Sequence, residues 1–478
     1  MAKNNTQQPF STPTVDPNAY LRQDDVRLHD ISIVTQSNPE GVSIMNQYAI
    51  CRISEDIFQN NITGIISGID ASSVVTNLPL TGQEYVILSF HTPSTGKEIE
   101  LFFIIDKITD RIPLKNKQSQ IYDIHFICPT FTIGLFSSVN KSYNNQTISN
   151  IVDDIYTNFI NPSSYDTVES SENGKQLITN ENTNGEQSII IPNWQPFLAI
   201  NWLAKRAAST SNPKISNYVF YQDLSGFHFC SLSSFFQKNV VKTYTYGVDN
   251  ANDFIRDHPN LEVNVESSFT HIRKLIISGF DRSREIYRGT YASSMLMHDI
   301  VNKSYTVQNY NYLKDFSELP SLNLNPILPQ KSNIFSTKPS SKEYFVPTHT
   351  NMYGVPNDVK FNSGNEGVEN WMQRHDAQIS QLLSNSIEIL VAGDSTRRVG
   401  DKISAIINSF EGTDENGRGK LDYSATGNYI ITKITHNISK TKGHTLLMKL
   451  CKESNIEPTP DYTIFDSGNA SSVKSVLS

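Results

Sequence analysis

The sequence predicts a mainly β fold: two similar antiparallel β-barrel, tube-like domains, an α/β module between them and a smaller inserted domain. Three observations carry this. Short apolar segments alternate at period two towards both ends of the chain, tight polar turns separate them, and helical spacing interrupts them in the middle. The C-terminal set is the clearest. Ile387, Ile389 and Val391 share a face, Gly393-Asp394 and Val399-Gly400-Asp401 make turns, and Ile403, Ala405 and Ile407 resume the alternation. Tyr429 to Ile438 and Leu446 to Cys451 add two strands, with Leu446, Met448 and Leu450 on the face opposite Lys449. Antiparallel strands that bury one face and expose the other build small barrels or sandwiches.

In the N-terminal part, six strands are predicted: Arg27 to Thr35, Tyr48 to Ser54, Ile62 to Ile69, Glu84 to His91, Ile99 to Thr109 and Gln120 to Ile127. Asn38-Pro39-Glu40-Gly41 and Thr92-Pro93-Ser94-Thr95-Gly96 punctuate them as turns. In the middle, Thr147 is placed to cap a helix with Ile148, Ile151, Val152, Ile155 and Phe159 along one face. Residues 161–187 read as a projecting polar loop. A second helix starts near Pro196, a favoured first-turn position, with Phe197, Ile200, Ala204 and Ala207 inward. Tyr218 to Tyr221 turns through Asp223-Leu-Ser-Gly226 into Phe227 to Cys230 as a hairpin. Strands return at Ile272 to Gly279 and Lys303 to Tyr310. Glu318 to Gly367, rich in Pro, Ser and Asn, reads as an inserted or weakly ordered excursion, and a helix from Asn370 to Leu383 leads back to the C-terminal strands.

The expected division is a flexible arm (1–25), a first β-barrel (26–132), the α/β module (133–260), a second β-barrel (261–285 and 386–455), an inserted segment and helix (286–385) and a tail (456–478). Two all-β units around an α/β module hint at a duplication, although no direct sequence repeat is visible.

At 478 residues the chain is long enough for several domains with real cores. Charged residues make up 18%, below the usual share of about a quarter, so Asn, Ser and Thr do much of the solubilising; such a surface suits a protein held in an assembly. A net charge of −8 argues against specific nucleic-acid binding, whose affinity comes mostly from Lys and Arg. Cys51, Cys128, Cys230 and Cys451 lie far apart in apolar surroundings and form no metal-ligand pattern, so buried free thiols in a reducing compartment are expected. The polar N-terminus lacks a signal-peptide pattern and no apolar run approaches the ~18 residues of a membrane span, so a soluble protein made in a cytoplasm is expected.

No chemistry stands out. In the loop Gly412 to Lys420, Arg418 and Ala425 spoil a calcium site and Leu421 spoils a P-loop, which leaves a hairpin loop. Gly393-Asp394-Ser395 lacks the Gly-x-Ser-x-Gly elbow. Asp153 and Asp154 are adjacent on a helix and point about 100° apart, so they cannot share a substrate. The eleven histidines show no HExxH spacing; His125, His228 and His436 fall inside strands and read as satisfied side chains. The aromatic hairpin from Tyr218 to Phe229 reads as core or interface rather than a base-stacking platform. The expectation is a non-enzyme with no catalytic, cofactor-binding or metal-ligating residues.

The order of segments resembles the central baseplate hub protein of contractile-tailed bacteriophages, a family related to the hub portion of type VI secretion spike proteins. Four stretches carry the resemblance. The first is Trp194-Gln-Pro-Phe-Leu-Ala-Ile-Asn-Trp-Leu-Ala-Lys-Arg206 with Tyr221-Gln-Asp-Leu-Ser-Gly-Phe-His-Phe229. The second is Gly289-Thr-Tyr-Ala-Ser-Ser-Met-Leu-Met-His-Asp299 with Lys303-Ser-Tyr305 and Tyr310-Asn-Tyr312. The third runs from Arg374 through Val391, Gly393-Asp394 and Val399-Gly400-Asp401, and the fourth from Gly427-Asn-Tyr429 through Ile434 and His436 to Leu446 to Leu450. Their order and spacing carry the likeness across much of residues 190–452.

The resemblance implies structural work in a virion tail baseplate, after synthesis in the host cytoplasm. A homotrimer would present six barrels to a sixfold tail tube and a threefold face to a membrane-piercing spike, around a lumen for DNA passage during ejection. Implied partners are the spike or needle protein, the tail-tube initiator, and the tape-measure and baseplate wedge proteins. Three other readings are distinguishable. A tail-associated hydrolase needs a catalytic pair, a receptor-binding protein would lack the helix-and-hairpin module, and a type VI or other contractile injection-machine hub differs mainly in its biological owner.

Overall fold

The computed structural model describes residues 24–71, 78, 80–92, 98–114, 119–161, 177–247, 270–300, 303–328, 342–348, 368–413 and 419–458. The expected arm before residue 24, the tip of the Thr92 to Gly96 turn, much of the loop at 161–187, the centre of the loop at Gly412 to Lys420 and the C-terminal tail lie outside them.

The chain is mainly β. The N-terminal unit contains β1 (Arg27–Thr35), β2 (Asn38–Ser43), β3 (Tyr48–Asp56), β4 (Thr63–Asp70), β5 (Tyr85–His91), β6 (Glu98–Pro113) and β7 (Gln120–Ile127). Its core is built by the period-two residues: Ile31, Ile33, Ile53, Ile66, Val86, Leu88, Phe90, Phe103, Ile124 and Phe126 are buried together. The expected turn at Asn38-Pro39-Glu40-Gly41 is instead the start of β2, which pairs antiparallel with β1 at the edge of the sheet. Proline is tolerated there because one side of an edge strand needs no ladder hydrogen bond.

The α/β module contains α1 (Pro129–Phe136), β8 (Val139–Thr147), α2 (Ile148–Ile155) with a π turn at Tyr156–Ile160, β9 (Thr179–Asn180), β10 (Glu186–Trp194), α3 (Pro196–Arg206), β11 (Tyr218–Asp223), β12 (Gly226–Ser231) and α4 (Leu232–Phe236). Thr147 Oγ1 accepts from Asn150 N and caps α2, as its sequence signals. Phe197, Ile200, Ala204 and Ala207 all face the module's core. The polar loop is not wholly a projection: β9 pairs parallel with β12, Thr183 is buried against Ser149, and β10 pairs with β8. The hairpin turns at Leu224-Ser225, where Asp223 Oδ1 accepts from Ser225 N and Gly226 N, an Asx turn.

The remaining elements are β13 (Lys242–Tyr246), β14 (Lys274–Ser278), α5 (Arg282–Tyr287), β15 (Ala292–Asp299), β16 (Ser304–Asn311), α6 (Tyr312–Phe316), β17 (Asn325–Pro326), β18 (Glu343–Thr348), α7 (Val368–Leu383), β19 (Asn385–Ala392), β20 (Lys402–Thr413), β21 (Gly419–Leu421), β22 (Gly427–Ser439), β23 (Gly443–Lys452) and β24 (Ser454–Asn455). The described parts of the Glu318 to Gly367 excursion are integrated into the fold. Leu322, Ile327 and Leu328 are buried, β17 pairs with β24, and β18 pairs parallel with β15. β13, inside the range read as the α/β module, pairs with β20 of the C-terminal unit. Among the described residues, no helix is long and apolar enough to cross a membrane.

The two units share one strand order. The N-terminal unit runs β1-β5-β6-β7-β4-β3 and the C-terminal unit β13-β20-β22-β23-β19-β14. In each, the first of its six strands lies beside the fourth, followed by the fifth, sixth, third and second. Every neighbour pair is antiparallel in both, except that β1 and β5 are antiparallel where β13 and β20 are parallel. A bulge falls at the same place: the β6–β7 register shifts between Ile105 and Lys107, and the β22–β23 register shifts between Ile431 and Lys433. β2 and β21 are additions paired with β1 and β20. Instead of closing separately, the two sets of ladders run into one another as a single sheet of 14 described strands.

Candidate assembly interface

The strand that fuses the units is β22. Its first residues, Gly427 to Ile430, pair with β20; from Lys433 to Ser439 the same strand pairs antiparallel with β3, Lys433 facing Asp56 and Ser439 facing Ile50. This in-chain joint satisfies N–H and C=O groups that would otherwise form open sheet edges. Ser54 Oγ and Thr435 Oγ1 meet across it at 3.1 Å. The units also exchange side chains: Ile57 is buried in the C-terminal core and Ile438 in the N-terminal core. Burying one such side chain contributes roughly 1.5–3 kcal/mol.

A polar line is sealed inside the joint. Glu55 Oε1 lies 3.2 Å from His436 Nε2, His436 Nδ1 lies 3.2 Å from His444 Nε2, and His444 Nδ1 lies 2.9 Å from Thr92 Oγ1. Burial pushes the Glu55 carboxyl up to about 8 against the opposing pull of Arg398. Burial also pushes both imidazoles down to about 3, helped at His436 by Arg398 and at His444 by His436. The line is therefore neutral near pH 7: Glu55 O–H donates to His436, His436 Nδ1–H to His444, and His444 Nδ1–H to Thr92. Each step has one donor and one acceptor, which is what a buried polar group requires.

Two further polar sets lie outside this line. Asn60 exchanges amide hydrogen bonds with Asn201 at 3.0 and 2.8 Å and donates to Phe220 O, while Gln222 Oε1 accepts from Ile62 N; these pin α3 and the hairpin to the N-terminal unit. In the C-terminal unit the loop between β19 and β20 is buried. Asp394 Oδ2 lies 3.2 Å from Arg397 Nε and 3.6 Å from Lys242 Nζ, and Arg397 also reaches Asp401. Burial raises the Asp394 carboxyl, but Arg397, the Thr396 hydrogen bonds and Lys242 outweigh it and hold the group below its ordinary value.

The nominal chemical candidates do not form a set. Asp153 is exposed on α2, Asp154 is tied to Lys141, Tyr143 and Asn158, and Ser395 is wholly buried in the β19–β20 loop. His125 bonds Thr109 Oγ1, His228 bonds Thr179 Oγ1 and pairs with Asp223, and His436 belongs to the joint. All four cysteines are buried and none is in a disulfide. Among the described residues, no cluster of His, Cys, Asp and Glu is arranged to hold a metal ion. Glu55 and His444 belong to the joint, and local sequence signals do not single them out. The available signal was the inward period of β3, where Ile53, Glu55 and Ile57 alternate and a carboxyl occupies a core position.

No family model matches the sequence, and no curated protein matches it significantly. Among solved structures, the chain is similar to a tail protein from Neisseria meningitidis at 11% identity, covering 90% of this chain and 97% of that one with a TM-score of 0.48. It is similar to a 43 kDa tail protein of a Shewanella oneidensis prophage at 10% identity, covering 89% and 98% with a TM-score of 0.49. It is also similar to a component of the Escherichia coli type VI secretion system at 9% identity, covering 92% and 80% with a TM-score of 0.41.

Proposed function

We propose that this chain is the structural hub of a phage tail baseplate, a trimeric ring that adapts a sixfold tail tube to a threefold membrane-piercing spike. The observation that carries the reading is the shared strand order of the two units, with the bulge at the same position, and their edge-to-edge fusion through β3 and β22. Two equivalent units in each chain turn three copies into six equivalent positions. The α/β module and the β15–β16–β18 sheet occur once per chain, so they would mark the threefold face. Closed cyclic symmetry consumes sheet edges that would otherwise aggregate. On this reading the chain works by assembly and has no hydrolytic centre of its own, the spike protein docks on the threefold face, and an acid-leaning lumen lets DNA pass without holding it. Electron microscopy of the purified protein, alone and with its spike, tests this. A threefold ring with quasi-sixfold features is expected, and particles without such symmetry in both preparations would overturn it.

A further inference from the structure

The in-chain joint has an unused counterpart. It lays the second strand of one unit, β3, on the latter half of the fifth strand of the other, β22. The equivalent strands are β14 and the latter half of β6. Among the described residues, β14 pairs with β19 alone, and β6 pairs with β5 only from Glu98 to Ile104. Among the described residues, both edges are therefore open at the places where their equivalents are joined.

The ladders fix which residues correspond. Ser54 connects through Thr63 and Ile127 to Ile104, and Ser278 connects through Ser386 and Cys451 to Ile430. Ser278 thus takes the place of Ser54, Ile277 that of Ile53, and Ile276 that of Arg52. On the other edge, Asp123 and Leu447 pair with Thr109 and Thr435, and Ile121 and Thr445 pair with Ile112 and Asn437. The serine and threonine whose hydroxyls meet at the existing joint, Ser54 and Thr435, recur as Ser278 and Thr109. Exposure agrees: Ile53, with its neighbour strand in place, is fully buried, whereas Ile277 is 43% exposed, Ile276 41% and Ile112 55%.

We propose that β14 of one chain pairs antiparallel with Lys107 to Pro113 of a second copy, setting Ser278 opposite Thr109 and Ile276 opposite Ile112 of that copy. The pairing repeats the β3–β22 joint between chains with one extra residue on β6, whose register against β7 shifts a second time between Thr109 and Ile112 where that of β22 against β23 does not, and its closure after three chains rests on the ring reading above. The occupant is a second copy because the strand order, the register and the Ser/Thr pair already occur together within the chain.

The test is the full-length double variant Ser278→Cys with Thr109→Cys, oxidised at high concentration beside each single variant. Facing positions of an antiparallel pair bring Cβ atoms to about 4.5–5.5 Å, near disulfide reach. Disulfide-linked trimers from the double variant alone are expected, with trimers by light scattering. Trimers without cross-links would overturn the strand pairing and leave the ring standing. Cross-links in species other than trimers would support the pairing and overturn threefold closure, and monomers without cross-links at every concentration would overturn both. Hydrogen exchange on the unmodified protein gives an independent readout: amides of Ile276 to Ser278 and Ile108 to Ile112 gain protection on assembly, and unchanged exchange there in assembled protein would reject the pairing.

Discussion

Glu55 and His436 meet at 3.2 Å inside the strand pair that joins the two units, and neither side chain is exposed to water. They sit on facing strands one diagonal step apart, Glu55 opposite Ile434 and His436 opposite Ile53. A carboxyl, two imidazoles and a hydroxyl thus replace apolar packing at the centre of the joint, and their neutral forms are the ones it holds.

The Glu55 carboxyl makes the joint sensitive to alkali. Its folded-state value of about 8 exceeds the ordinary 4.5, so between these values the unfolded chain has lost a proton that the folded chain keeps. Each unit of pH rise across that window costs the wild type about 1.4 kcal/mol relative to a variant that does not titrate. Urea unfolding of wild type and Glu55→Gln at pH 5, 6.5 and 8 should show the wild type losing ground steadily. A stability difference independent of pH would remove Glu55 from this role.

The imidazoles act on the acid side. Their folded-state values of about 3 lie below the ordinary 6.5, so as pH falls from 6.5 towards 3 the unfolded chain takes up protons that the folded chain refuses. The stability they allow is complete above 6.5 and is lost on acidification. His444→Gln should flatten the acid limb of the stability profile by about one proton's worth, read as the slope of unfolding free energy against pH.

The exchange of Ile57 and Ile438 couples the two units. Each truncation to alanine should cost about 2–5 kcal/mol, the usual range for emptying a core isoleucine. Calorimetry should show one transition for the wild type and two for the Ile57→Ala, Ile438→Ala double variant, as the units begin to melt separately. A single transition in the double variant would show that other contacts carry the coupling.

Much of this fold was legible as sequence. The alternation of Ile387, Ile389 and Val391, the cap at Thr147 and the proline start at Pro196 all report local backbone preferences, and each element stands where those signals put it. What escaped was set by distant partners. Asn38 to Gly41 reads as a turn because Pro and Gly dominate its local preference, yet β1 offers it an edge. β13 stands 161 residues before the strand it pairs with, Lys242 facing Ile403. The polar line was the least visible part, since Glu55, Thr92, His436 and His444 are brought together only by the β3–β22 pairing.

Gly393 is required by His444. A Cβ at position 393 would fall inside the imidazole of His444, and Gly393 N already donates to His444 O at 2.9 Å. Gly393→Ala should therefore cost about 1–3 kcal/mol by overpacking. Adding His444→Ala should recover part of that loss, a coupling that a double-mutant cycle measures directly. Strict additivity would mean that the ring moves aside freely.

The equivalence of the two units makes matched demands on their cores. Ile389 and Ile431 are wholly buried in the C-terminal unit, and Ile431 stands just before the bulge, where the N-terminal unit has the buried Ile105. Aspartate at any of the three would place an unpaired carboxylate in apolar surroundings, at a cost of at least several kcal/mol. Ile389→Asp and Ile431→Asp should abolish assembly, and Ile105→Asp should do the same from the other unit, whereas aspartate at the exposed Leu447 should not. Light scattering and circular dichroism on the four variants read out assembly and fold separately. If Ile431→Asp were lost from the assembly while Ile105→Asp assembled normally, the two units would not be doing equivalent work, and a ring of six matched positions could not be built from three chains.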